Sequence, residues 1–161
     1  MKRLLKIARE DFPFYADQIL EIENLSFSSP WSFDDFKIEM EKPITRLWAL
    51  LIDHTLNGYI CFWLLNQEIH ITNLAVHPAK RGHRLGQFIL AKIMERYVRE
   101  GLIQIRLEVR PSNLAAKRLY ARMGFHEIGI SPRYYKDKNE DAVIMGLEFS
   151  RWNVHRQIPD Q

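Results

Sequence analysis

One cysteine in 161 residues excludes an internal disulfide, and the position of Cys61 inside the apolar run from Tyr59 to Leu65 reads as a small core residue rather than a nucleophile. Nowhere do about eighteen apolar residues run together, and the basic start Met1-Lys2-Arg3-Leu4-Leu5-Lys6-Ile7 lacks the apolar region of a secretory signal. The six histidines follow no metal-ligand spacing, so no metal is expected. The lysine-serine/threonine ending of a P-loop and the full glycine triplet of a dinucleotide fold are both missing, which argues against ATP and NAD. No serine-, glycine- or proline-rich linker, repeat or low-complexity run divides the chain. The formal charge of +3 is modest and interspersed, so no direct nucleic-acid requirement is expected. These absences describe a soluble, cytoplasmic protein with no membrane segment.

What is present is a core. With 47% apolar residues the chain suits one domain over residues 1–150, and the polar, unpatterned stretch 151–161 reads as a frayed tail. The pattern predicts a strand over Lys2 to Ala8, then a helix capped by Asp11 with Phe14, Ile19, Ile22 and Leu25 on its buried side. After the loop Phe27 to Ser32, Ser32 caps a short helix that turns Phe33, Phe36 and Ile38 inward. Leu47 to Ile52 and Tyr59 to Leu65 read as a hairpin about Asn57-Gly58, and Glu68 to Val76 joins them through an Asn66-Gln67 turn. A helix from Leu85 is stopped by Gly101; it is followed by a strand over Ile103 to Val109 and a helix capped by Ser112 that runs to about Arg122. Strands over Phe125 to Ile130 and Ala142 to Phe149 complete a mixed α/β fold.

Two segments carry chemistry. The strand ending at Val76 empties through His77-Pro78 into the basic turn Lys80-Arg81-Gly82-His83-Arg84-Leu85-Gly86, which opens the amphipathic helix. Backbone N–H groups and the positive helix end converge there, as a phosphate cradle requires. The other segment is Leu107 to Tyr120. Glu108 falls at the end of a strand beside the cradle unit, where its carboxylate can act as a base. Asn113, Ala116 and Tyr120 share one helix face toward the same crevice, with Ala115, Leu119 and Met123 as the core stripe.

These segments resemble the GNAT superfamily of acetyl-coenzyme A-dependent N-acetyltransferases. Asn113 to Phe125 matches its N-x-x-A-x-x-L-Y-x-x-x-G-F pattern. Ser29-Pro30-Trp31-Ser32, Leu107-Glu108-Val109-Arg110, Tyr134-Tyr135 and Glu140-Asp141-Ala142 with Ile144-Met145 resemble the branch that acetylates the N-terminal alanine of a small-subunit ribosomal protein. The resemblance implies a twisted, largely antiparallel sheet with one splayed parallel pair and helices on both faces. It implies that acetyl-CoA is held by Leu74, Ala75, Val76, Arg81, Gly82, His83, Arg84, Leu85, Gly86, Gln87, Asn113 and Tyr120. It further implies direct transfer, with Glu108 as general base and Tyr120 as general acid. Trp31, Glu108, Tyr134, Tyr135 and Asp141 would bind the acceptor peptide, with Glu140 or Asp141 steering positive charge, and the chain would act as a monomer or weak dimer.

The pattern is broken at one place. The pyrophosphate signature Q/R-x-x-G-x-G/A carries Arg84 at its central glycine, which alters the turn or adds a charged phosphate contact. An α-amino acceptor, with a reference pKa of about 7.7 to 8.0 against about 10.4 for lysine, is the easier one for a carboxylate base. Acetylation of a small amine, such as a polyamine, amino acid or antibiotic, and a non-catalytic acyl-CoA-binding or ribosome-docking module stay open beside it.

Overall fold

Alternation of apolar and polar residues, broken by turn residues with positive φ, builds seven strands among the described residues, which are 1–137 and 139–149 of this computed structural model. In chain order the elements are β1 (Lys2–Lys6), α1 (Phe12–Ser26), α2 (Phe33–Met40), β2 (Thr45–Ile52), β3 (Thr55–Leu65) and β4 (Glu68–Val76). Then follow α3 (Leu85–Val98), β5 (Gln104–Val109), α4 (Leu114–Arg122), β6 (His126–Tyr135) and β7 (Glu140–Glu148). The sheet order is β1-β2-β3-β4-β5-β7-β6, and every pair is antiparallel except β4 with β5. This is the expected mixed α/β fold. The expectation for 151–161 lies outside the described residues.

Two cores sandwich the sheet. Phe12, Ile19, Ile22 and Phe36 from α1 and α2 pack on Leu47, Ala49, Tyr59 and Cys61, while Ile89, Ile93 and Met94 of α3 pack with Ile60, Phe62, Ile105 and Leu107 on the other face. The feature that matters for function is the parallel pair. β4 and β5 are in register only over Glu68–Ile71 with Gln104–Leu107, and then part. Just beyond that point β4 carries an extra residue, Thr72, between the pairs Phe62↔Ile71 and Cys61↔Asn73, and such a bulge bends the strand away. A cleft opens between the two strand ends, with α3 at its foot.

Four expectations are corrected. The β2–β3 turn is Asp53-His54, both at positive φ (49° and 72°), not Asn57-Gly58. Gly58 lies within β3, where a Cβ would meet the Ala75 carbonyl oxygen at 2.9 Å; its glycine serves close strand approach. On α1 the buried stripe is Phe12, Ala16, Ile19, Ile22 and Glu23, leaving Phe14 82% and Leu25 54% exposed, because the helix begins at Phe12 and Phe14 lies nearly opposite it. On α2 Phe36 alone of the three expected residues is buried, with Phe33 at 38% and Ile38 at 62% exposure, since a helix of eight residues offers the core little more than one position per turn. The cap of α4 is Asn113, which accepts from the Ala116 N–H, not Ser112. On α4 the core-facing stripe is Ala116, Leu119, Tyr120 and Met123, which follow one another at three and four residues, and Ala115 is exposed.

Candidate active site

The cleft is lined by unpaired backbone. The His77 N–H bonds the Asn57 carbonyl, so by strand alternation Ala75 also turns its amide toward β3, while Leu74 and Val76 direct theirs into the cleft. The Val76 carbonyl on that side accepts from the Arg81 guanidinium at 3.2 Å, and the same side chain reaches Ser26 Oγ at 3.1 Å, tying the turn to α1. Gly82 takes φ +88°, and a Cβ added there would meet no atom within 4 Å, leaving room for a ligand against its backbone. Arg84, at φ 57° and ψ 29°, is left-handed, so it takes the glycine-like conformation despite its side chain, and it caps the 14-residue α3. His83 and Arg84 are exposed, Gln87 is half-buried, and Leu85 anchors the helix in the core. Gly86 lets α3 approach α4, since a Cβ there would stand 3.2 Å from Leu119. These amides, the glycine and the helix N-terminus fit a pyrophosphate-bearing group. Asn113 spends its side-chain oxygen on the α4 cap.

At the other end of the cleft Glu108 faces away from the α3 core, on the opposite face from Leu107 and Val109. Its carboxylate accepts a hydrogen bond of 2.5 Å from His70 Nε2 on β4, and both side chains are mostly buried. Trp63 stands edge-on to the His70 ring at 5.0 Å and donates its indole N–H to Glu39. Burial opposes ionisation of Glu39, but bonds from Trp63, Lys42 and Thr45 hold its carboxyl below the usual range. Sequence reasoning missed His70; its one signal was a histidine on the strand destined to lie beside Glu108.

Three tyrosines close this end. Tyr120 lies in the core beside Phe125, with ring centroids 5.4 Å apart, and burial, then the neighbouring Tyr135, push its phenol well above 10. Tyr134 and Tyr135 meet edge to face at 4.9 Å. Both are raised, chiefly by burial, with the Glu108 charge contributing to each. Tyr135 thus stands within electrostatic reach of both Glu108 and Tyr120.

Trp31 sits on the α1–α2 loop, packed edge-on to Phe36 at 5.1 Å, and its backbone N–H donates to Glu23. Glu23 is almost wholly buried and also accepts from Tyr59 and from Asn73 on β4. It too escaped sequence reasoning, although a glutamate four residues after Ile19 falls in the apolar stripe. Glu140 is engaged by Arg110 and by the hydroxyl and N–H of Ser112, and the Ser112 bond foremost holds its carboxyl low. Asp141 is exposed at the start of β7. Among the described residues no cluster of three metal-ligating side chains occurs, and no helix is long and apolar enough to cross a membrane.

Two parallel strands that part, one turning unpaired amides into the gap and the other carrying a hydrogen-bonded carboxylate, define a class of acyl-transferring fold, and a profile of the acetyltransferase (GNAT) family matches residues 16–125. The chain belongs to that family. A Bacillus subtilis (strain 168) protein, provisionally named a ribosomal protein bS18-alanine N-acetyltransferase, is 38% identical over 130 residues, covering 80% of this chain and 86% of that protein. The Escherichia coli (strain K12) ribosomal protein bS18-alanine N-acetyltransferase is 33% identical over 135 residues, covering 80% and 88%. The crystal structure of the ribosomal-protein-S18-alanine N-acetyltransferase from Escherichia coli superposes with a TM-score of 0.82 at 28% identity, over 93% of this chain and 95% of that one.

Proposed function

We propose that this protein moves an acetyl group from acetyl-CoA to the free α-amino group of a protein, a cytoplasmic ribosomal protein beginning with alanine, by direct transfer without a covalent enzyme intermediate. The observation that carries the reading is the place of Glu108: a hydrogen-bonded carboxylate at the point where β5 leaves β4. The names of the relatives support the acceptor. When bound, acetyl-CoA supplies the acetyl group as a thioester.

The residues divide the work. The α3 N-terminus, Gly82 and the turn hold the diphosphate, and the Leu74 and Val76 amides hold the arm that runs up the cleft. Glu108 takes the proton that the acceptor nitrogen loses, directly or through one water, and His70 Nε2–H keeps the carboxylate turned toward it. The Tyr120 hydroxyl, kept protonated by burial, offers its proton to the departing sulfur. Trp31, Tyr134 and Tyr135 wall the acceptor slot. Cys61, buried and pushed up to about 12 by that burial, is no competitor as nucleophile.

The test is coenzyme A release with acetyl-CoA and a panel of alanine-initiated peptides with free and blocked N-termini, free lysine and a polyamine. Turnover with the unblocked peptide alone is expected. Preference for lysine or the polyamine makes the protein a small-amine acetyltransferase, and absence of coenzyme A release with every amine tried would reduce it to a binding module.

A further inference from the structure

Arg110 is the residue after β5, two positions from Glu108, and its side chain is 20% exposed. Its guanidinium donates to both oxygens of Asp137 (2.8 and 2.9 Å), to Glu140 at 3.2 Å and to Ser28 Oγ at 3.3 Å. It also lies 4.0 Å from the centroid of the Tyr135 ring. Ser28 in turn donates to Asp137 at 2.6 Å, and Glu140 accepts from Ser112 at the approach to α4. One side chain therefore touches both the α1–α2 loop and the β6–β7 hairpin, and fastens the place where Ser28 and Asp137 already meet. These are the segments that present Trp31 and the tyrosine pair.

We propose that Arg110 is a positioning residue that ties these two walls together and sets the width of the acceptor slot, an assignment that rests on the acetyl-transfer reading above. The chemistry asks for arginine. A planar fork can serve two carboxylates and a hydroxyl while stacking on an aromatic ring, whereas an ammonium presents a point charge and no stacking face. Without the guanidinium, Asp137 and Glu140 would lose the cation between them, and Tyr135 would lose the face that fixes its angle toward Tyr134 and Glu108. Arg110 touches none of the residues of the α3 turn in these contacts, so its removal acts on the acceptor and spares the cofactor.

The experiment compares wild type, Arg110→Lys and Ser28→Ala. It measures kcat and KM for an alanine-initiated peptide, KM for acetyl-CoA, and amide hydrogen exchange around Ser28 and Tyr135 in the protein without ligands. Arg110→Lys is expected to raise the peptide KM by about tenfold or more, on the scale of a lost charge-assisted bond pair, and to leave KM for acetyl-CoA within about twofold, as for a distant site. Exchange should quicken at both segments together. Ser28→Ala, a milder change that removes the Ser28 bonds to Arg110 and Asp137 but leaves Arg110 on the hairpin, should move the peptide KM in the same direction by less. An unchanged peptide KM, equal rises in both KM values, or faster exchange at one wall only in Arg110→Lys would overturn the proposal. If wild type acetylates no amine, the acetyl-transfer reading fails, and exchange at the two segments still decides whether Arg110 joins them.

Discussion

Arg84→Gly measures the cost of the one position where this chain departs from its family's phosphate-loop pattern. Arg84 holds φ 57° and ψ 29° at the cap of α3, is exposed, and makes no side-chain cap bond. A non-glycine residue held left-handed costs about 1–2 kcal/mol. Glycine removes that strain but adds about 0.5–1 kcal/mol of unfolded-chain entropy. The balance is a gain of up to about 1.5 kcal/mol, with a rise in Tm of about 2–4 °C per kcal/mol for a chain of this size. Arg84→Ala keeps the Cβ and with it the strain, so it should stay within about 0.5 kcal/mol of wild type. Urea denaturation of the three proteins, with KM for acetyl-CoA measured alongside, checks both: glycine should stabilise, alanine should not, and KM should stay within a few fold. Equal stabilisation by alanine, or destabilisation by glycine, would refute the left-handed cap; loss of activity in Arg84→Gly would mean the guanidinium binds phosphate itself.

Glu108→Gln and Tyr120→Phe should each lower kcat by about a hundredfold or more with acetyl-CoA binding kept, and isothermal titration beside steady-state rates separates the two. His70→Gln, whose amide nitrogen reaches the Nε2 position and can still donate to the carboxylate, should retain more turnover than His70→Ala; equal rates would remove the hydrogen bond from the mechanism. Burial raises Cys61 to about 12 and lifts Tyr59 and Tyr120. Each folded group therefore holds its proton more tightly than the unfolded one, so stability is full below the unfolded pKa values and falls as pH rises from about 9 through 12. Denaturation midpoints at pH 7, 9 and 10 should show the decline. Gly58→Ala places a Cβ 2.9 Å from the Ala75 carbonyl oxygen and 3.1 Å from Ile89 Cδ1, and should cost about 1–3 kcal/mol, read by the same denaturation.

Periodicity was enough to place most strands and helices, because the apolar repeat of a strand or a helix is written locally. The basic turn was legible for the same reason: Arg81 to Gly86 is one continuous stretch opening one helix. Faces and turns failed where a shift of one residue decides the outcome. Asn113 rather than Ser112 caps α4, and Tyr120 falls with Ala116, Leu119 and Met123 on the face that packs on the core. Gly58 looked like a turn residue until the strand beside it explained why no side chain fits there.

What the sequence alone determined is the set of elements and the basic turn at the head of α3, properties of short stretches with their own period or turn chemistry. Only the tertiary structure decided that His70 meets Glu108 across the parting of β4 and β5, that Glu23 organises the Trp31 loop from inside the core, and that Arg110 joins loop to hairpin. Those partners lie 38, 8, 82 and 27 residues apart in the chain. A hydrogen bond needs atoms within about 3 Å, a proximity that no local pattern encodes and that the bulge at Thr72 and the sheet order bring about.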